Sequence, residues 1–160
     1  MGFNQEQFNN FILEHNIIGF YNSPRILASG KENYWYTGWD KIIQDPFLME
    51  KVIDFILHFV KDHHLTPDTF YGVPEGATTL GLLTQFAWAK SSQRYEAGSH
   101  VLAMGRRQAK LHGNDEDYFV GIPKGKTIIL EDVTTTGESL IRKGIEYIKQ
   151  HAPQHPSPQL

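Results

Sequence analysis

The chain has no cysteine in its 160 residues. That excludes disulfides, thiolate-bound metals and a cysteine nucleophile. It also lacks an excess of positive charge. Fifteen Lys and Arg stand against eighteen Asp and Glu, a formal net charge of -3. Broad, nonspecific nucleic-acid binding is therefore not expected, and only a local basic patch stays open. No apolar run is long enough to cross a bilayer. The opening MGFNQEQFNN has neither the basic nor the apolar region of a signal peptide. No internal repeat, His-Glu-x-x-His pair or Gly-x-Ser-x-Gly elbow occurs. The expectation left by these absences is a soluble, cytoplasmic protein with no membrane and no nucleic-acid partner. Hydrophobic residues make up 40%, enough for one domain with a sizeable core.

The elements follow from spacing. Residues 4–15 read as a short amphipathic helix carrying Phe8, Phe11 and Ile12. Residues 17–38 read as extended, with a turn at Ser29-Gly30. Asp45 is a natural N-cap and Pro46 a natural first residue of the next helix. That helix carries Leu48, Val52, Phe55 and Phe59, widened by Ile53, Ile56 and Val60. After Thr66-Pro67, strands and helices alternate: strand 69–73, helix 76–90, strand 99–104, a polar segment over 105–125, strand 127–130 and helix 138–150. The last helix has Ile141, Ile145 and Ile148 at helical spacing. Alternation of this kind predicts an α/β fold with parallel strands and right-handed crossovers. Ligands in such folds bind beyond the carboxyl ends of the strands. The single domain is expected over 1–150, divided into an N-terminal part over 1–44 and a core over 45–150. The proline-rich 151–160 is expected to form an unstructured tail.

The chemistry concentrates in TIILEDVTTTGESL, residues 127–140. An apolar strand ends at Glu131 and Asp132, and the loop from Val133 to Gly137 opens a helix. Free amides and the positive end of the dipole at a helix start favour a phosphate. Thr134, Thr135, Thr136 and Ser139 add hydroxyls, and Gly137 permits positive φ and close approach of the backbone. Two adjacent carboxylates would repel that phosphate unless they address another part of the same ligand. Vicinal hydroxyls are such a part, and Mg²⁺ also prefers oxygen neighbours. The stretch therefore reads as a sugar-phosphate site. The alternative is an ordinary strand, loop and helix with a solvated acidic pair.

Three other stretches bear on the same site. MGRRQAKLHG, 104–113, places Arg106, Arg107, Lys110 and His112 within the polar segment. It is either a lid over an anion or a solvated basic face. YGVPEGATTLG, 71–81, is a strand, a turn and a helix start rich in small residues. RILASGKENYWY, 25–36, offers Lys31 and the aromatic Tyr34, although strand aromatics usually serve the core. GIPKGKT, 121–127, precedes a strand instead of following one, so it is a turn and not a phosphate-binding P-loop.

Taken together, Glu-Asp-Val-Thr-Thr-Thr-Gly with its later Ser resembles the phosphoribosyl-pyrophosphate (PRPP) motif of type I phosphoribosyltransferases. Arg-Arg-x-x-Lys-x-His-Gly is similar to the mobile catalytic loop of the orotate phosphoribosyltransferase family. The resemblance spans about residues 5–150. It implies a Rossmann-like parallel sheet with an N-terminal β/α hood segment. It also implies transfer of ribose 5-phosphate from PRPP to orotate, or, as alternatives, to another base, or a catalytically silent PRPP- or nucleotide-binding regulator or remnant. By the resemblance, Lys110, His112, Arg106 and Asp132 carry catalysis. Arg107, Glu131, Val133, Thr134, Thr135, Thr136, Gly137, Glu138, Ser139, Lys31 and Tyr34 bind substrate. Mg²⁺ is the implied cofactor, held mainly through PRPP with Glu131 and Asp132 nearby and no direct protein ligand. A homodimer is implied too, with the 105–125 loop reaching the neighbouring site. The sequence departs from the pattern at Ala28, where lysine is expected, and at Glu138, where a small residue is usual. It also stops where the family continues with a further strand, so the sheet is expected to end early at its C-terminal edge.

Overall fold

The computed structural model describes residues 2–26, 30, 32–110, 117–134 and 136–152, the side chains of 107–110 and 117 excepted. Helix α1 (Gln5–Glu14) is capped by the Asn4 side chain, which accepts from the Gln7 amide. It buries Phe11 and Ile12. Strands β1 (Ile18–Ile26) and β2 (Glu32–Thr37) form an antiparallel hairpin with Phe20 opposite Trp35. Its register shifts between Phe20 and Arg25. Gly30 lies in the connection at φ 78°. A short helix, α2 (Asp40–Gln44), follows and buries Ile42. Five residues are too few to show helical periodicity, which is why the sequence pattern did not mark it.

Asp45 caps α3 (Pro46–Asp62) as its position predicts, accepting from the amides of Phe47 at 2.9 Å and Leu48 at 3.1 Å. The helix buries Met49, Val52, Ile53 and Val60, while Phe59 stays 43% exposed. It packs with α1 and α2 into one core cluster of Phe11, Ile12, Ile17, Ile42 and Val52. Strand β3 (Thr69–Gly72) is buried along its whole length. It pairs in parallel with β6 (Thr127–Leu130), Thr69 facing Thr127 and Gly72 facing Leu130. The parallel sheet expected from the strand–helix alternation is therefore present.

Helix α4 (Thr78–Lys90) crosses β3 at close range. Gln85 is fully buried beneath the strand, accepting from the Phe70 amide at 2.8 Å and donating to the Asp68 carbonyl at 3.3 Å. An uncharged polar side chain tolerates such burial because both ends of its amide are satisfied. The close approach itself depends on glycine. A Cβ at Gly72 would run into the carbonyl of Ala77, and one at Gly81 would run into the Gly72 backbone.

Two expectations are corrected. The strand over 99–104 is reduced to Ala103, which bridges Tyr71 in parallel. The polar segment is not irregular throughout. Strand β4 (Met104–Lys110) pairs antiparallel with β5 (Asp117–Val120). Polar residues satisfy a hairpin whose outer surface meets water, so composition gave no sign of it. Residues 121–127 do form a turn, with Gly121 and Gly125 at positive φ and the Lys126 amide donating to Asp68.

The last helical segment also differs from its expected form. It opens as a π-helical stretch, Leu140–Glu146, and continues as α5 (Tyr147–His151). The wider π turn rotates the following residues, so Gly144 and Ile148 are buried while Ile141 is 47% exposed. Ala152 is also buried, so packed structure runs two residues beyond 150. Residues 153–160 of the expected tail lie outside the described residues.

Among the described residues, β6 pairs on one edge only, with β3. An apolar groove of about 700 Å³ flanks it, lined by Phe8, Phe55, Phe59, Ile128, Leu130 and Leu140 among others. Lys126 is the single charged residue of its lining, so the groove does not suit a phosphorylated ligand. Among the described residues no helix is long and apolar enough to cross a membrane.

Candidate functional site

The in-register pairing of β3 and β6 brings both strands to an end at the same level, and the Val73 amide donates to the Leu130 carbonyl at 2.9 Å. The turn after β3 and the loop after β6 therefore emerge side by side. They touch through Gly76 and Asp132. A Cβ placed on Gly76 would lie 2.5 Å from Asp132 Oδ2. Only glycine lets the turn backbone approach the carboxylate this closely.

Beyond Asp132, the loop is open. Thr134, Thr136, Glu138 and Ser139 are exposed, and Val133 and Gly137 are half-buried. Gly137 takes φ 76°, with nothing within 4 Å of the place a Cβ would occupy. The Ser139 hydroxyl makes no capping hydrogen bond, and the Glu138 amide donates only weakly, to Thr136 Oγ1 at 3.4 Å. The Glu138 carboxylate turns to Arg142, 3.2 Å away on the surface. A role for Glu138 in binding an anion therefore rests on its amide.

The two acidic residues differ in surroundings. Asp132 faces the Gly76 turn. Glu131 keeps one carboxylate oxygen, Oε2, shielded from solvent, with no hydrogen-bond partner among the described residues. Burial pushes the Glu131 carboxyl above its ordinary range, the neighbouring Asp132 charge pushes it further, and Lys143 opposes both.

A cleft of about 180 Å³ adjoins the β3 turn, lined by Pro74, Glu75, Arg106, Lys143 and Tyr147. Arg106 reaches it from β4, half-buried. The Tyr147 hydroxyl lies 3.0 Å from the Arg106 carbonyl and 3.1 Å from the Tyr118 carbonyl, tying the last helix to the β4–β5 hairpin. Arg106 thus lies in the cleft beside the β3 turn. Lys110 closes β4 opposite Asp117, and Arg107 lies on the same strand; their side chains are outside the described part. His112, Lys31 and Thr135 also fall outside the described residues. Tyr34 is 54% exposed on β2, its hydroxyl donating to Glu32 at 3.1 Å. Its hairpin forms a sheet of its own.

Sequence reading missed Glu75, Lys143 and Tyr147. The i, i+4 spacing of Lys143 and Tyr147 is legible in the sequence, but the isoleucine spacing of the same helix reports only its core face. Among the described residues no group of three or more His, Cys, Asp or Glu could hold a metal ion.

Known proteins resemble the chain in sequence and in fold. No family model matches the chain. Orotate phosphoribosyltransferase of Pyrococcus horikoshii is 26% identical over 148 residues, covering 92% of this chain and 73% of that protein. The enzyme of the same name from Bradyrhizobium diazoefficiens is 31% identical over 133 residues, covering 78% of this chain and 65% of its own length. The chain is thus similar in sequence to orotate phosphoribosyltransferases. It spans 57% to 73% of the length of the curated relatives it matches. The fold agrees: the crystal structure of orotate phosphoribosyltransferase from Aeropyrum pernix superposes with a TM-score of 0.63 at 20% identity, over 88% of this chain and 72% of that one. The enzyme from Mycobacterium tuberculosis gives 0.59 at 16% identity. The hairpin, the β3 turn and the loop after β6 are thus parts of an orotate phosphoribosyltransferase-like fold.

Proposed function

We propose that this chain transfers ribose 5-phosphate from PRPP to orotate, giving orotidine 5′-monophosphate and pyrophosphate, a step of pyrimidine nucleotide synthesis. The bond from ribose C1 to the pyrophosphate oxygen breaks, a bond from C1 to the base nitrogen forms, and the nitrogen's proton leaves. The observation that carries the reading is the meeting of Gly76 and Asp132 at the ends of two parallel strands. It would set a carboxylate for the ribose hydroxyls between the turn after β3 and the loop after β6.

The loop from Thr134 to Ser139 would hold the 5-phosphate through its amides and hydroxyls. Glu131 and Asp132 would accept from the ribose hydroxyls. As C1 gains oxocarbenium character, negative charge grows on the departing pyrophosphate, and Arg106, Arg107, Lys110 and His112 would offset it. Mg²⁺ suits the oxygen chemistry of a site with two carboxylates, and it would be held mainly through the substrate's own oxygens, with Glu131 and Asp132 nearby. It would offset pyrophosphate charge there. A homodimer, with the loop around Lys110 crossing to the neighbouring site, and a cytoplasmic location complete the proposal.

The test is direct. Purified protein with PRPP, Mg²⁺ and orotate should consume orotate, followed by its absorbance. Turnover with another base and none with orotate would move the assignment to that base. PRPP binding by calorimetry without turnover on any base would make the chain a binding protein. If PRPP does not bind at all, the proposal is lost.

Gly76→Ala probes the central contact. The new methyl would displace the Asp132 carboxylate, a flexible side-chain end that can swing aside at small cost to folding. PRPP binding should weaken about tenfold, roughly 1.4 kcal/mol, while stability changes by no more than about 1 kcal/mol. Isothermal titration and thermal melting separate the two effects.

A further inference from the structure

The two strands of the β4–β5 hairpin pair at Met104–Val120 and Gly105–Phe119, and their pairing is taken up again at Lys110–Asp117. Between those pairs, residues 106–109 stand opposite residue 118 alone. A break of this kind re-aims the side chain that stands at it. Arg106 is the first residue of the break. Ladder register alone therefore does not set the direction in which Arg106 leaves β4.

The Tyr147 hydroxyl lies at this break. Its two contacts, the Arg106 carbonyl at 3.0 Å and the Tyr118 carbonyl at 3.1 Å, fall on the two strands where the register lapses. The hydroxyl has one hydrogen, so the two carbonyls share it. The ring that carries it is itself held. It meets Phe119 with centroids 5.3 Å apart and His151 at 4.9 Å, and His151 stacks on Tyr118 at 3.5 Å. Just before the break, β4 is seated on the β3 turn: a Cβ on Gly105 would run into the Tyr71 hydroxyl and stand 3.0 Å from Pro74 Cγ. Pro74, Arg106 and Tyr147 line one cleft.

Tyr147 also belongs to the helical segment that the loop after β6 opens. The Ile141 amide donates to the Gly137 carbonyl at 2.9 Å, and the helix runs on through Tyr147 to His151. One element therefore carries the loop given above to the 5-phosphate and, further along, the hydroxyl that meets Arg106. PRPP has its 5-phosphate and its pyrophosphate on opposite sides of one ribose. The groups that hold them must keep a fixed separation for the sugar to stay in its reactive pose.

We propose that Tyr147 is a positioning residue for the leaving-group cation: its hydroxyl bridges the break in the hairpin and fixes Arg106 relative to the 5-phosphate loop. This rests on the roles given to Arg106 and to that loop above. Tyr147 acts through Arg106 and needs no contact with substrate.

The test compares the full chain with Tyr147→Phe, Arg106→Ala and the double variant. Tyr147→Phe keeps the ring contacts and removes only the hydroxyl, so the melting temperature should fall by about 2–4 °C. The single-turnover rate with saturating PRPP and orotate should fall about tenfold, with KM for PRPP changed by less than about twofold. In the Arg106→Ala background the same substitution should change the rate by less than about twofold, because the cation it positions is gone. An unchanged rate in Tyr147→Phe overturns the proposal, and so does a full tenfold loss that persists without Arg106. A second readout needs no substrate: ¹⁵N relaxation of the Arg106 Nε–H should show lost order in Tyr147→Phe while that of the exposed Arg142 stays as it was. An Arg106 side chain as ordered in Tyr147→Phe as in the unaltered chain overturns the proposal with or without turnover. Absence of orotate turnover by the unaltered chain counts against the function instead.

Discussion

Gly72→Ala is expected to destabilise the protein by about 3 kcal/mol or more, and to lower its melting temperature by about 6–12 °C. The added methyl would meet the carbonyl oxygen of Ala77, its carbon, and the Cα of Thr78, the last at 3.0 Å. All three are backbone atoms. No rotamer change can relieve the overlap, so the turn that carries Gly76 must move or the helix α4 must lift from β3. Against a total stability of about 5–15 kcal/mol, the loss is large. Gly137→Ala is the informative control. It has open space around the new methyl and carries only the cost of φ 76°, about 1–2 kcal/mol. Thermal unfolding followed by circular dichroism distinguishes the two. A Gly72→Ala protein that melts with the unaltered chain would mean that the close packing of strand, turn and helix is wrong, and the apposition of Gly76 with Asp132 would lose its support.

Lys110→Ala should reduce turnover about a hundredfold and leave the melting temperature in place. A cation that meets negative charge developing on a leaving group contributes about 3 kcal/mol in the transition state, and that energy corresponds to roughly a hundredfold in rate. Lys110 closes β4 at the far end of a hairpin whose other end is anchored through Tyr147. The anchored end keeps the fold, so truncation at the far end is expected to act on the reaction alone. Single-turnover kinetics with PRPP and orotate provides the measure. Undiminished turnover would remove Lys110 from the mechanism, and a lowered melting temperature would make it a structural residue.

The two variants mark different kinds of legibility. The acidic pair, the loop after it and the basic run were readable because their chemistry is local: each is a few adjacent residues whose donors and charges suit one kind of ligand. The N-cap at Asp45 was readable for the same reason, and so was the strand 127–130, where the apolar run and the observed strand coincide. The glycines at 72, 76 and 81 stood in plain view within YGVPEGATTLG, yet nothing local says what each one approaches. Gly72 meets Ala77, Gly81 meets Gly72, and Gly76 meets Asp132, which lies far away along the chain. Lys143 was passed over because helical periodicity reports which residues face the core and is silent about which charged residue faces another element. The π-helical turn then moved Ile141 out of the face its spacing had assigned.

By itself, the sequence determined the α/β class and the parallel sheet, because periodicity and capping act over a few residues. Only the tertiary structure decided that Asp132 rests on the Gly76 turn, that Glu131 keeps an oxygen out of water, and that Arg106, Lys143 and Tyr147 line one cleft beside that turn. Those relations depend on parallel strands ending level and on a helix crossing at glycine distance, and they arise only when distant segments pack.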